Sequence, residues 1–253
     1  MSHVFYLPNI GECGVGDVVV IDGDEGHHAV RVRRIAVAEE IEIVDGVGTR
    51  VAGIVREVGK ASCTVEVLAI TAEPQPTPRV TVVQALVKKD RSDQVIELLT
   101  ESGVDRIIAW RAQRSQMRET PAKWDRLVVE SSKQSRRACF PVVEPARDTA
   151  DVIELVSERA DRAVVLVCHE SREARSITDV LRELPDADEY IIVIGPEGGL
   201  TDEETDAFAA AGAHTVWLGP TVMRAATAGA IATAIVSAQT NRWTSVGHRQ
   251  EQS

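Results

Sequence analysis

The stretch YIIVIGPEGGLTDEE, Tyr190 to Glu204, decides how this chain folds. Tyr190–Ile194 is a short β-branched run, apolar throughout, as expected of a strand covered on both faces in a parallel sheet. Gly195, Gly198 and Gly199 then supply backbone freedom and room for close approach. Thr201 with Glu204 three residues on reads as a capping box, opening a helix that runs through Ala211. A strand that ends in a glycine loop is where open α/β sheets bind ligands.

The same loop limits what that ligand can be. GPEGG is neither G-x-G-x-x-G nor a P-loop, and no lysine follows it. Asp202, Glu203 and Glu204 already occupy the first helical turn, the positive end of the dipole that a phosphate would use. A neutral or cationic ligand held through backbone groups fits better. A plain tight βα turn is the alternative.

Working outward, the C-terminal side repeats the pattern. HTVWLG (His214–Gly219) reads as a strand, and Arg224 to Thr240 as a helix rich in alanine. Its small residues suit a closely packed subunit interface or a chain passing nearby. Arg224 is the one charge between Leu218 and Gln239, an arginine in an apolar setting at a strand end, where such a group commonly binds an anion or carboxylate. Upstream, strands expected at Arg79–Leu86, Asp105–Trp110, Pro141–Pro145 and Arg162–His169 alternate with helices at Ser92–Gly103, Pro121–Ala138, 150–159 and 177–184. That rhythm predicts a mainly parallel α/β sheet.

Before AEPQPTP (Ala72–Pro78), a proline-rich spacer, the rhythm is different. Strands at Val15–Gly23, Glu39–Gly46, Thr49–Val58 and Ser62–Ile70, with a short helix at Glu25–Arg34, predict a small β-barrel-like domain. The division expected is therefore 1–72, a linker at 73–78, and 79–253. His27 and His28 lie next to each other with no third ligand nearby, so a metal is not expected. Arg31, Arg33 and Arg34 follow at once and favour phosphate contact.

The net charge of −11 argues against a polyanion partner on average, but its distribution does not. Residues 79–147 carry 14 basic and 9 acidic side chains, whereas 148–253 carry 8 and 18. A basic island in an acidic protein is a footprint for a polyanion, with a solvated helix face as the alternative. No apolar run reaches membrane-span length, the N-terminus lacks a signal-peptide plan, and the four cysteines form no C-x-x-C pair. A cytoplasmic protein is expected.

Taken together, IGPEGGLTDEE and LGPTVMRAATA resemble the SPOUT methyltransferases, and more narrowly the RsmE family, which methylates N3 of a uridine in 16S ribosomal RNA. GHHAVRVRR, KKDR (Lys88–Arg91), ESGV (Glu101–Val104) and KQSRR (Lys133–Arg137) extend the likeness along most of the chain. The resemblance implies a PUA-like N-terminal domain, a SPOUT domain with a C-terminal trefoil knot, and a homodimer whose active site lies at the subunit interface. It implies S-adenosyl-L-methionine held by Val167, Cys168 and His169, by Ile194, Gly195, Glu197, Gly198 and Gly199, and by Leu218, Gly219, Met223, Ala225 and Thr227. Arg224 is then the catalytic candidate. His28, Arg31, Arg33, Arg34, Lys88, Arg91, Arg114, Gln134, Ser135 and Arg137 are the RNA-binding candidates, toward 16S RNA or the small subunit. The chain departs from the pattern at Ala225 and Ala226, where relatives often have Thr-Glu, at Leu98 for a lysine and at Lys133 for a glutamate. Action on another RNA, or RNA binding without catalysis, are the competing readings.

Overall fold

The computed structural model describes residues 3–171 and 173–243, with Lys89 and Asp90 described by backbone alone. Two compact units result: Met1–Gln75 with Val129–Phe140, and Pro76–Val128 with Pro141–Ser253. Residues 129–140, which the sequence alone groups with 79–253, thus cluster with the first unit.

In the first unit, β1 (His3–Tyr6), β2 (Val18–Ile21), β3 (Glu40–Val44), β4 (Thr49–Val58) and β5 (Cys63–Ala72) form one sheet in the order β1-β3-β4-β5-β2. All neighbours are antiparallel except β1 and β3. The β3–β4 turn is set by Asp45, whose Oδ1 accepts from the backbone N–H groups of Val47, Gly48 and Thr49. Inward residues of the strands, among them Ile21, Ile41, Ile43, Val51, Val55 and Val65, make the core with Phe5 and Ile35. The expected single helix at 25–34 is a short α1 (Gly23–His27) running into a π-helical turn, His28–Arg33. Gly26 is required there, because a Cβ would sit 2.4 Å from the Ala61 carbonyl oxygen. Strand β1 was not foreseen from the sequence.

The second unit holds β6 (Arg79–Ala85), β7 (Arg106–Arg111), β8 (Val142–Asp148), β9 (Ala163–Cys168), β10 (Arg175–Ser176), β11 (Glu189–Ile194) and β12 (His214–Trp217). They form one parallel sheet in the order β10-β12-β9-β11-β6-β7-β8. β11 is the central strand, which explains why each of its six residues is buried. One face, including Val83, Ile108, Val165, Ile191 and Val193, packs on Val152 and Val156 of α4 (Thr149–Arg159) and Phe208 of α6 (Asp202–Ala210). Trp110 meets Phe208 edge to face at 5.4 Å between ring centroids.

The opposite face lies under α2 (Lys89–Glu101) and α7 (Ala225–Gln239), with α5 (Ile177–Glu183) beside α7. The small residues of α7 find an explanation inside the chain. A Cβ at Gly229 would stand 2.8 Å from Cδ2 of Leu99 on α2 and 3.5 Å from Cγ1 of Ile194 on β11. Helix α3 (Trp124–Gln134) starts three residues after Pro121, where the sequence places the first turn. Buried Trp124 fixes that start, its Nε1 donating to Ser92 Oγ at 2.8 Å. No helix of the described residues is long and apolar enough to cross a membrane.

Candidate active site

Because β12, β9 and β11 are parallel neighbours, the loops that leave them emerge side by side at the carboxyl edge of the sheet. There they enclose a cleft of about 570 Å³ within the second unit. That is a size typical of small-molecule sites, which run from about 300 to 1,000 Å³. Its walls are Cys168–Glu170 after β9, Ile194–Leu200 after β11, and Trp217–Ala225 with Ala228 after β12. Lys88, Arg91 and Arg114 line it as well.

The glycine loop is held from several sides. Gly199 turns back with φ +71° and its N–H donates to the Pro196 carbonyl at 2.9 Å. Gly195 has no room for a side chain, since a Cβ would lie 2.9 Å from Leu200 Cδ2. Glu197 Oε1 accepts from the Lys88 backbone N–H at 3.1 Å. The expected capping box is present: Thr201 Oγ1 accepts from Glu204 N–H at 3.2 Å, and Glu204 Oε2 from Thr201 N–H at 3.1 Å. Buried Glu204 accepts two more bonds at Oε1, from Gln113 N–H at 2.8 Å and Thr149 Oγ1–H at 3.2 Å. Its carboxylate is thus spent on fixing the helix start. Glu203, exposed beside it, is held below the usual carboxylate range by its own backbone N–H, then the Thr201 hydroxyl, with the Arg114 charge adding to both. This end of α6 is occupied by its own carboxylates and offers nothing to a phosphate.

The other two loops differ in chemistry. His169 donates its backbone N–H to the Val216 carbonyl at 2.9 Å, and its ring Nδ1 accepts from Ser171 N–H at 3.0 Å. Burial pushes the neighbouring Cys168 thiol up to about 12, so it stays a neutral thiol at physiological pH. Arg224 caps α7 through its carbonyl, which accepts from the N–H groups of Thr227 and Ala228 at 2.9 and 3.0 Å. Its side chain is exposed and lines the cleft, with no hydrogen-bond or ion-pair partner among the described residues.

Of the cofactor residues expected from the sequence, Cys168, His169, Ile194, Gly195, Glu197, Gly198, Gly199, Leu218, Gly219, Met223 and Ala225 line this cleft. Val167 and Thr227 do not. Val167 is buried in the sheet core, and the Thr227 hydroxyl turns back to donate to the Arg224 carbonyl at 3.1 Å. Reading the sequence missed Glu170, Leu200, Trp217 and Ala228, each of them next to a residue it did name. Ala226 is buried and is not among the residues that line the cleft. Among the described residues, Glu170 and Glu197 are the carboxylates on that wall.

The RNA candidates fall into two groups. Lys88, Arg91 and Arg114 belong to the cleft just described. His28, Arg31, Arg33, Arg34, Gln134, Ser135 and Arg137 belong to the first unit. There Arg33 Nε donates to His28 Nε2 at 3.2 Å, and burial, followed by the Lys133 charge, lowers the His28 pKa. Lys133 itself pairs with Glu25. Arg31, Arg33, Arg34 and Gln134 are exposed, whereas Ser135 Oγ–H donates to the Ser131 carbonyl and Arg137 Nε to that of Cys139. Among the described residues no His, Cys, Asp and Glu groups are arranged to hold a metal ion.

A parallel sheet with a strand-end cleft, in a chain that also carries a small β unit, is the layout of an α/β enzyme with an appended β domain. Residues 73–237 match the family model described as RNA methyltransferase domain, and residues 21–68 the one described as RNA methyltransferase PUA domain. The chain belongs to the ribosomal RNA small subunit methyltransferase E family. It is 39% identical over 251 residues to the protein of that name from Mycobacterium bovis, covering 96% of this chain and 94% of the relative. The Bacillus subtilis protein of that name is 27% identical, over 87% and 90% of the two chains. The crystal structure of the Neisseria gonorrhoeae ribosomal RNA small subunit methyltransferase E, bound to S-adenosyl methionine, superposes with a TM-score of 0.82 at 26% identity, covering 94% and 98%.

Proposed function

We propose that this chain is an S-adenosyl-L-methionine-dependent methyltransferase of 16S ribosomal RNA, acting on N3 of a uridine in the small ribosomal subunit. It works in the cytoplasm as a homodimer, with residues 1–72 as the RNA-binding domain, 73–78 as a linker and 79–253 as a knotted SPOUT domain. The observation that carries this reading is the convergence of the loops after β9, β11 and β12 on one cleft with Arg224 at its wall. The knot is supported by the placement of β12 between β10 and β9, and of α7 over β11 and β6. The homodimer is supported by Ile231, Ala234 and Ala238, which form a one-sided stripe on α7 left exposed or half-buried by the chain.

The residues of the cleft fit this cofactor. S-adenosyl-L-methionine has no phosphate, and the acidic start of α6 offers no phosphate site. Its adenine ring needs apolar walls and its polar groups need backbone partners, which Ile194, Leu200, Leu218 and Met223 and the glycine loop provide. When bound, it supplies a methyl group on a sulfonium sulfur. The protein's part is to align the acceptor nitrogen in line with that methyl, and alignment supplies much of the acceleration. N3 of uracil carries a proton and is occupied in a Watson–Crick pair, so the target base must be unpaired or flipped out. As N3 becomes nucleophilic, charge grows on the flanking carbonyl oxygens. Arg224, on the cleft wall with its guanidinium uncommitted among the described residues, is the residue we assign to stabilise that charge.

The test is mass spectrometry of 16S RNA from cells with and without the gene. Loss of one N3-methyluridine, restored by the wild-type protein in vitro, is the expected result. An unchanged 16S RNA, with a methyl lost from transfer RNA or the large subunit, would redirect the assignment.

A further inference from the structure

Arg114 counts as part of the basic island, and its charge alone suggests a contact to RNA phosphate. The geometry gives it other work. It stands on the segment that follows β7, two strands across the sheet from β11. Its Nη1 donates to the carbonyl of Gly198 at 2.8 Å and to that of Leu200 at 3.1 Å. Those carbonyls flank Gly199, the residue at which the loop reverses. The arginine stem also lies against the loop, since a Cβ at Gly198 would be 3.2 Å from Arg114 Cβ and 3.4 Å from its Cδ. The preceding residue, Gln113, donates its N–H to buried Glu204 at the start of α6.

One short segment therefore holds the loop at its tip and at its exit. Hydrogen bonds from a guanidinium are charge-assisted and stronger than those between neutral groups. A glycine loop without them is free to sample other backbone directions, because glycine carries little conformational preference of its own. We infer that Arg114 is a positioning residue for the cofactor loop: by fixing the Gly198 and Leu200 carbonyls it presets the backbone groups that face the cleft, and cofactor affinity depends on it. This rests on the cofactor reading proposed above.

The experiment is calorimetric titration of S-adenosyl-L-methionine into wild-type protein and into Arg114→Ala, with thermal melts alongside. The expected loss in affinity is about ten-fold, equivalent to about 1.4 kcal/mol, in a variant that melts close to the wild type. If the alanine variant does not fold, Arg114→Met keeps the stem against Gly198, removes the donors, and should show the same loss. A loss smaller than about three-fold in the folded variant overturns the inference. In that case a flatter salt dependence of RNA binding would show that Arg114 contacts phosphate instead. Absence of cofactor binding by the wild type is a different failure, one that sinks the proposed function and not the loop's anchoring.

Discussion

Arg242 is expected to be worth more to the stability of the second unit than any other arginine in it. It lies three residues beyond the end of α7, and its side chain is 4% exposed. Nη1 donates to the Pro78 carbonyl at 2.6 Å, while Nη2 donates to the Gly103 carbonyl at 2.5 Å and to Asp105 Oδ1 at 2.9 Å. The Asp105 side chain is 6% exposed, and its Oδ2 accepts from Val80 N–H at 2.8 Å. One guanidinium thus fastens the chain after α7 to the entries of β6 and β7. Removing one partner of a buried pair costs about 3–5 kcal/mol, because the other charge stays in a poorly solvated place. At roughly 2–4 °C per kcal/mol for a chain of this size, Arg242→Ala should lower the melting temperature by about 6–20 °C. Circular dichroism melts would measure this, with Trp243→Ala as the control, since Trp243 is 58% exposed. A melting temperature within about 2 °C of the wild type would show that water replaces the guanidinium without penalty, and the burial argument would fail.

Three further outcomes follow from the proposed function. Arg224→Ala should fold and bind S-adenosyl-L-methionine while methyl transfer falls by about a hundred-fold or more. Arg224→Lys should recover little, because a point charge does not reproduce the planar fork; wild-type turnover in the alanine variant would make Arg224 a helix cap and nothing more. Neutralising exposed Arg31, Arg33 and Arg34 together should weaken RNA binding and flatten its salt dependence by a slope of up to about 3, and an unchanged slope in filter-binding titrations would remove this turn from the RNA surface. Ile231→Arg places a charge on the outward stripe of α7, where Ile231 is 37% exposed. It should leave the melting curve of the monomer unit near wild type but halve the mass by light scattering; a wild type already monomeric at micromolar concentration would rule out that interface.

What could be seen in the sequence was whatever is written in neighbouring residues. Tyr190–Ile194 of β11 is apolar throughout because the strand is the middle one of seven, and that signature needs no partner to be visible. The capping box spans four residues, and the glycine loop five, so both were readable as they stand. β1 was not, because a four-residue strand has too short a pattern and its parallel partner, β3, lies some forty residues on. Thr227 shows the limit of a motif. The resemblance places it with the cofactor, and in the fold its hydroxyl donates to the carbonyl three residues back, a bond set by the helix start. The arginines show it more sharply. In the sequence Arg114, Arg224 and Arg242 are each one positive charge. In the fold the first holds a loop 84 residues away, the third closes on a carbonyl 139 residues away, and the second has no protein partner among the described residues. A guanidinium that the fold has already satisfied belongs to the scaffold. A guanidinium without a protein partner at the wall of a cleft, as those of Arg224 and Arg91 are among the described residues, is where charge on a substrate has something to meet, and that difference, invisible in composition, is the physical ground on which Arg224 is proposed for the chemistry.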